Sequence, residues 1–122
     1  LGRLRAAALD TLARTLASLP ASGRGPGREL KDAARVATDA AETYAQTGKI
    51  GDAAHAFWLA GRLLRDLGET DAAVWSLESA IEGFALARRR AERGEAANHL
   101  IELLRVTGQD TRADEIVEGL LR

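Results

Sequence analysis

Cysteine is absent from this chain of 122 residues, which excludes a disulfide framework and thiolate chemistry. The absence fits a reducing compartment, and we expect a cytoplasmic protein. Only two histidines are present, His55 and His99, and neither has a second histidine three or four residues away. Because zinc sites need such pairs or cysteines, we expect no metal and no cofactor.

Methionine is also absent, only two prolines occur, and aromatic residues make up 4% of the chain. Without a methionine to start it, we expect the sequence to be a segment of a longer protein or a processed one. No uninterrupted apolar run reaches the ~18 residues that a membrane-spanning helix requires, so we expect no membrane partner. The formal net charge of −1 gives no global attraction to nucleic acid, and we expect none as a partner.

Motifs of catalysis are missing as well. The carboxylates are scattered along the chain, and no serine or threonine stands in a nucleophile elbow. The glycine-rich stretch 23–27 lacks the lysine and the preceding strand of a phosphate-binding loop. We therefore expect a protein that is not an enzyme.

Alanine and leucine supply most of the apolar positions, and their spacing favours helices packed on helices. Pro and Gly residues make 20–27 the only real loop, and the other links are short, so neighbouring helices should be antiparallel. We predict one all-α domain, 1–122, made of a first or capping hairpin (1–47), a second hairpin (51–90) and a third (92–122). Its helices are predicted over 3–19, 28–47, 52–67, 71 to about 90, 92–107 and 111–121, and the chain is predicted to turn back between Arg88 and Gly94.

A period of 40 residues organises the second half of the chain. Gly68 and Gly108 each follow a leucine by four residues and precede an alanine by five. A third copy fits around Gly27 and Arg28, and Gly48, an expected left-handed helix cap, becomes the link between repeats. Periods of this length are typical of stacked helical hairpins. Equivalent positions are Leu64 and Leu104, then Ala33, Ala73 and Ala113, then Ala37, Leu77 and Val117, then Ala40, Ala80 and Leu120.

These positions resemble the tetratricopeptide repeat (TPR) family, in its longer bacterial variant of 40-odd residues. The resemblance rests on Phe57, Gly61, Leu64, Gly68, Ala73, Leu77 and Ala80, and again on Ala97, Leu100, Leu104, Gly108, Ala113, Val117 and Leu120. No repeat has the family's closing proline. The resemblance implies an α-solenoid of about six helices, a right-handed superhelix of antiparallel hairpins. It also implies a module that binds a protein or peptide partner within a larger bacterial regulatory or signalling protein.

Members of the family bind ligands on the concave surface, which the first helix of each hairpin lines. By resemblance, the partner-binding residues here are His55, Trp58, Arg62, Arg65, Asn98, Glu102 and Arg105. The first four are spaced to share one helix face. Arginine would hold carboxylates or carbonyls, asparagine a backbone amide, and tryptophan would be an apolar anchor. Alternatively, the arginines pair with Glu102 or Asp66 and Trp58 packs between hairpins.

Other interpretations remain open. Trp75 either packs against the helix at 92–107 or, if exposed, marks a contact on the convex side. The basic stretch Arg88–Arg90 with Arg93 suits phosphate contacts, although a solvated helix end is favoured. The apolar last helix suits self-association into a homo-oligomer. A third alternative is an effector-sensing domain of a transcriptional regulator.

Overall fold

The computed structural model describes residues 26–121, and this range contains five α-helices and no strand. The predicted all-α succession of helices is confirmed. The predicted helix at 3–19 and most of the predicted loop, 20–25, lie outside the described residues. The helices are α1 (Pro26–Gln46), α2 (Ile50–Asp66), α3 (Thr70–Leu86), α4 (Arg90–Val106) and α5 (Asp110–Leu121).

The first helix begins earlier than predicted, because Pro26 and Gly27 belong to α1 and not to the loop. Proline is compatible with the first turn of a helix, where its missing N–H would have had no partner. The predicted turn at Gly27 and Arg28 is therefore wrong, although the alanines that follow it keep the register of the repeat.

All four turns between the helices have the same geometry. Their central residues have positive φ: Gly48 (76°), Gly68 (79°), Arg88 (58°) and Gly108 (79°). In each turn two hydrogen bonds close the preceding helix; at Gly68, for example, its N–H donates to the carbonyl of Arg65 (3.0 Å) and that of Glu69 to Leu64 (2.9 Å). This Schellman pattern satisfies the last carbonyls of the helix.

The expected cap at Gly48 is confirmed, and the turns recur every 20 residues, since helices begin at 50, 70, 90 and 110. The predicted helix 71–90 is four residues too long, because α3 ends at Leu86. The turn predicted between Arg88 and Gly94 is confirmed at Arg88, although an arginine stands there where the other turns have glycine.

Successive helices are antiparallel and pack closely. Gly83 near the end of α3 lies against Ala54 near the start of α2, where an added Cβ would be 2.7 Å from the Ala54 Cβ. A Cβ on Gly61 would likewise lie 2.7 Å from Leu77 Cγ. Two glycines thus allow α2 and α3 to approach each other along most of their length.

The helices form two layers. Helices α2 and α4 contact each other directly, while a groove of about 420 Å³ lies between α1 and α3 and one of about 320 Å³ lies between α3 and α5, where Arg112 and Glu78 also form an ion pair (2.8 Å). We call the surface formed by α2 and α4 the inner face, and the surface formed by α1, α3 and α5 the outer face.

Burial partly follows the 40-residue period. Ala33, Ala73 and Ala113 are each 0% exposed, and three of the six buried positions of α2, those of Ala56, Ala60 and Leu63, are buried again in α4 as Ala96, Leu100 and Leu103. The largest fully buried apolar side chains are Phe84, Leu77, Leu100 and Leu104, and burying a side chain of this kind contributes ~1.5–3 kcal/mol. Within residues 26–121, no helix combines the length and the apolar character needed to cross a membrane.

Candidate functional site

Trp58 is the centre of the inner face, at the point where three helices meet. Its half-buried ring packs edge to face on Phe84 of α3, with ring centroids 6.2 Å apart and an interplanar angle of 82°. On α4, the His99 ring lies 5.7 Å away. Edge-to-face pairs of aromatic rings add ~0.5–1.5 kcal/mol beyond their burial. Trp58 therefore packs between the hairpins, as one of the two sequence interpretations proposed.

Two further residues of α2 flank this ring. His55 packs against Trp58 at 5.7 Å with its ring nearly perpendicular, and the Arg62 Cζ lies 5.8 Å from the Trp58 ring centroid. Residues three and four apart are neighbours on a helix surface, so the sequence spacing accounts for this arrangement. A guanidinium at this distance from an indole ring makes a cation–π contact.

Arg65, one turn further along α2, connects the two helices of the inner face. Its Nη1 donates a hydrogen bond to His99 Nδ1 (3.3 Å), and its Nη2 donates to Asp66 Oδ1 (3.4 Å). Because a guanidinium can only donate, Nδ1 must be the acceptor, and the neutral His99 ring carries its proton on Nε2.

His99 is a part of this cluster that sequence reasoning missed, because it was weighed only as a metal ligand. Burial lowers its pKa below 6.5, and the positive charges of Arg62 and Arg65 lower it further. The negative charges of Glu102 and Glu95 act in the opposite direction and do not cancel this. A signal existed in the sequence, since residues 95, 99 and 102 have the spacing of one helix face.

The other predicted site residues lie differently. Asn98 and Glu102 are exposed on α4, and Glu102 acts on the cluster through its charge. Arg105 is exposed on α4 and pairs with Asp114 (3.0 Å) and Asp110 (3.8 Å) of α5.

A small pocket of about 220 Å³ opens beside the Trp58 ring, lined by His55, Trp58, Leu59 and Arg62. Arg62 is exposed, and no carboxylate of residues 26–121 lies within ion-pair distance of it. Trp58 Nε1 is shielded from solvent and has no hydrogen-bond partner in the same range. The pocket thus combines an apolar floor with an unpaired cation, which suits one acidic or carbonyl-bearing side chain.

Trp75 lies on the outer face and is 54% exposed. Its ring packs edge to face on Phe57 of α2 at 5.5 Å, so the predicted packing against the helix at 92–107 is wrong. Within the described residues, no group of three or more His, Cys, Asp or Glu side chains is placed to hold a metal ion.

Comparison with known proteins adds no relative: no family model, no curated protein and no solved structure matches this chain.

Proposed function

We propose that this domain is a non-enzymatic protein-interaction module that binds a peptide or a partner domain on its inner face. The observation that supports this most is Arg62. Its guanidinium is held by the Trp58 ring, is exposed, and has no carboxylate partner among residues 26–121. A fixed, unpaired cation beside an aromatic ring is the type of group that dominates binding energy in protein interfaces.

The partner segment would place an acidic or carbonyl oxygen on Arg62 and an apolar side chain in the pocket beside Trp58. Arg65 is already engaged by His99 and Asp66, so its contribution is to fix α2 against α4 and to supply positive charge. Asn98 and Glu102 are exposed at the edge of this surface and would contact the partner backbone.

We further propose that the chain is a TPR-like segment of a larger bacterial regulatory or signalling protein in the cytoplasm. Support comes from the 40-residue recurrence of buried positions and from glycine turns at Gly68 and Gly108. The glycine at Gly61, where α2 and α3 are in close contact, also stands at a position of the family pattern.

The test is parallel affinity capture from the lysate of the source cell with three baits: wild type, Arg62→Glu and Arg35→Glu. Arg35 is exposed on α1 and lies outside the inner face, so it is a control of equal charge change. We expect mass spectrometry to find proteins retained by wild type and Arg35→Glu but lost with Arg62→Glu. Circular dichroism checks that all three baits are equally helical. Equal retention by all three would contradict an inner binding face.

Self-association is a second candidate, favoured by the exposed Trp75 and by Leu121, which is 83% exposed on α5. An apolar surface of this kind suits a contact between copies. Sedimentation equilibrium over a wide concentration range separates the two functions. A mass that rises with concentration in the wild type and not in Trp75→Ala supports an outer-face contact, and a monomer at every concentration excludes it.

A further inference from the structure

The turn between α3 and α4 carries the densest positive charge of the described chain. Four arginines stand within six residues, and together with Phe84 and Ala85 they line a cavity of about 480 Å³. None of the described residues that line this cavity is an aspartate or a glutamate. The arginines are Arg88, Arg89, Arg90 and Arg93.

One of the four is already engaged. Arg89 pairs with Glu92 (3.6 Å), and its guanidinium covers Gly51 at the start of α2, 2.7 Å from the position a Cβ would take. Arg88, Arg90 and Arg93 have no carboxylate within ion-pair distance among residues 26–121. Since exposed cations in a protein of balanced charge usually lie near carboxylates, three free guanidinium groups around one cavity leave it strongly positive.

The backbone at Arg88 adds a second observation. Arg88 adopts a φ of 58°, while the three equivalent turns have glycine at this position. Glycine takes this conformation without steric cost, whereas an arginine takes it only at a steric cost. The chain thus keeps a strained arginine side chain at the mouth of the cavity, and strained backbone positions tend to occur at ligand sites.

We propose that this arginine cavity binds a compact, multiply charged phosphate group, such as the diphosphate or triphosphate of a small molecule. The guanidinium fork matches two phosphate oxygens, and α4 begins at Arg90, so the positive end of its dipole lies beside the cavity. The cavity volume of about 480 Å³ falls within the range of small-ligand pockets, roughly 300–1,000 Å³.

A small ligand is favoured over a nucleic acid. A polymer needs a basic track along a surface, whereas these arginines are confined to one turn and the first turn of α4, in a chain whose net charge is −1. Phe84, the only aromatic residue of the lining, is fully buried, so no ring is available on which a base could stack.

The first test is isothermal titration calorimetry of the 122-residue chain with pyrophosphate and with tripolyphosphate, at low and at physiological salt. We expect saturable binding of one ligand per chain, tighter for tripolyphosphate and weaker at higher salt. Arg90→Gln combined with Arg93→Gln should weaken binding about tenfold or more, since each removes charge-assisted hydrogen bonds. Arg28→Gln combined with Arg35→Gln, both exposed on α1, changes the charge equally and should leave the affinity unchanged.

The second test uses Arg88→Gly, which we expect to make the fold more stable and to weaken phosphate binding. A merely structural role for Arg88 cannot produce these opposite effects. Absence of saturable binding to either phosphate, or equal binding by the Arg90 and Arg93 double variant, would overturn the site. A single-stranded oligonucleotide whose affinity grows with its length would replace the small ligand with a nucleic acid.

Discussion

Single residues decide where each helix of this protein ends. The four turns share one backbone geometry, and in three of them glycine supplies the positive φ. Sequence reasoning found the turns at Gly48, Gly68 and Gly108 because glycine is the usual residue at this position. It placed the fourth turn only within the range Arg88–Gly94 and extended the preceding helix to about residue 90, because propensity rules assign an arginine to the helix.

Arg88→Gly should stabilise the folded protein by ~1 kcal/mol, since it removes the steric cost of a left-handed arginine. Gly68→Ala should destabilise it by a similar ~1 kcal/mol, because nothing crowds Gly68 and the cost there is conformational alone. The free energy of unfolding, measured in urea by circular dichroism, checks both variants. Equal stability of Arg88→Gly and wild type would show that the backbone at Arg88 is unstrained.

His99 makes stability depend on pH. Its pKa in the folded protein is lowered from 6.5 by burial and by Arg62 and Arg65. Below 6.5 the unfolded chain therefore binds more protons than the folded one, and stability falls as the pH falls towards the folded pKa. Above pH 6.5 the contribution of neutral His99 to the stability of the fold is fully present.

Urea unfolding at pH 7.5 and at pH 5.5, between the titration ranges of carboxylates and the usual histidine pKa, measures this effect. We expect the loss of stability on acidification to shrink in His99→Gln. His55→Gln serves as the second histidine variant and should retain the contribution of His99. An identical pH dependence in wild type and His99→Gln would contradict the lowered pKa.

For the helices, the main question is how closely two of them approach. Gly83 and Gly94 both lie inside helices, and the sequence alone ranks them alike as weak helix formers. In the structure they differ, because a Cβ on Gly83 would meet Ala54 at 2.7 Å, whereas nothing lies within 4 Å of a Cβ on Gly94.

Gly83→Ala should therefore destabilise the protein by ~1–3 kcal/mol, since the short Ala54 side chain cannot move aside and the helices must separate. Gly94→Ala should stabilise it by ~0.5–1 kcal/mol by restricting the unfolded chain and favouring the helix. Thermal unfolding followed by circular dichroism compares the two with wild type. A shift of the same sign in both variants would show that helix propensity alone governs these positions.

Some contacts of the candidate site can be predicted from residue spacing along one helix, and others cannot. The grouping of His55, Trp58 and Arg62 was predictable, because all three stand on one helix at intervals of three and four residues. The contact of Arg65 with His99 joins two helices, and the turn of Arg105 towards Asp114 depends on side-chain direction. Neither follows from the period of a single helix.

For the molecule as a whole, stability should decrease towards α5. Each helix contacts mainly its sequence neighbours, so a terminal helix is packed on one side only. On α5 only Ala113 is fully buried, whereas α2 and α3 each bury six residues.

Hydrogen exchange followed by mass spectrometry should find the slowest amide exchange in peptides of α2 and α3 and the fastest in α5. Local opening of a one-sided helix exposes little apolar surface and therefore costs less free energy than opening α2 or α3. The turn at Gly108 is the boundary at which protection should fall. Uniform protection from α2 through α5 would instead indicate a single cooperative unit.

The identical three-residue turns make this chain extendable. A second copy of 50–89 inserted after Arg89 would keep the three-residue spacing of every turn and add one helix to each layer. A copy of only 70–89 would reverse the roles of all later helices and turn the side chains of α4 to the opposite surface. Insertions of an even number of helices therefore keep α4 on the inner face, and insertions of an odd number move it to the outer face.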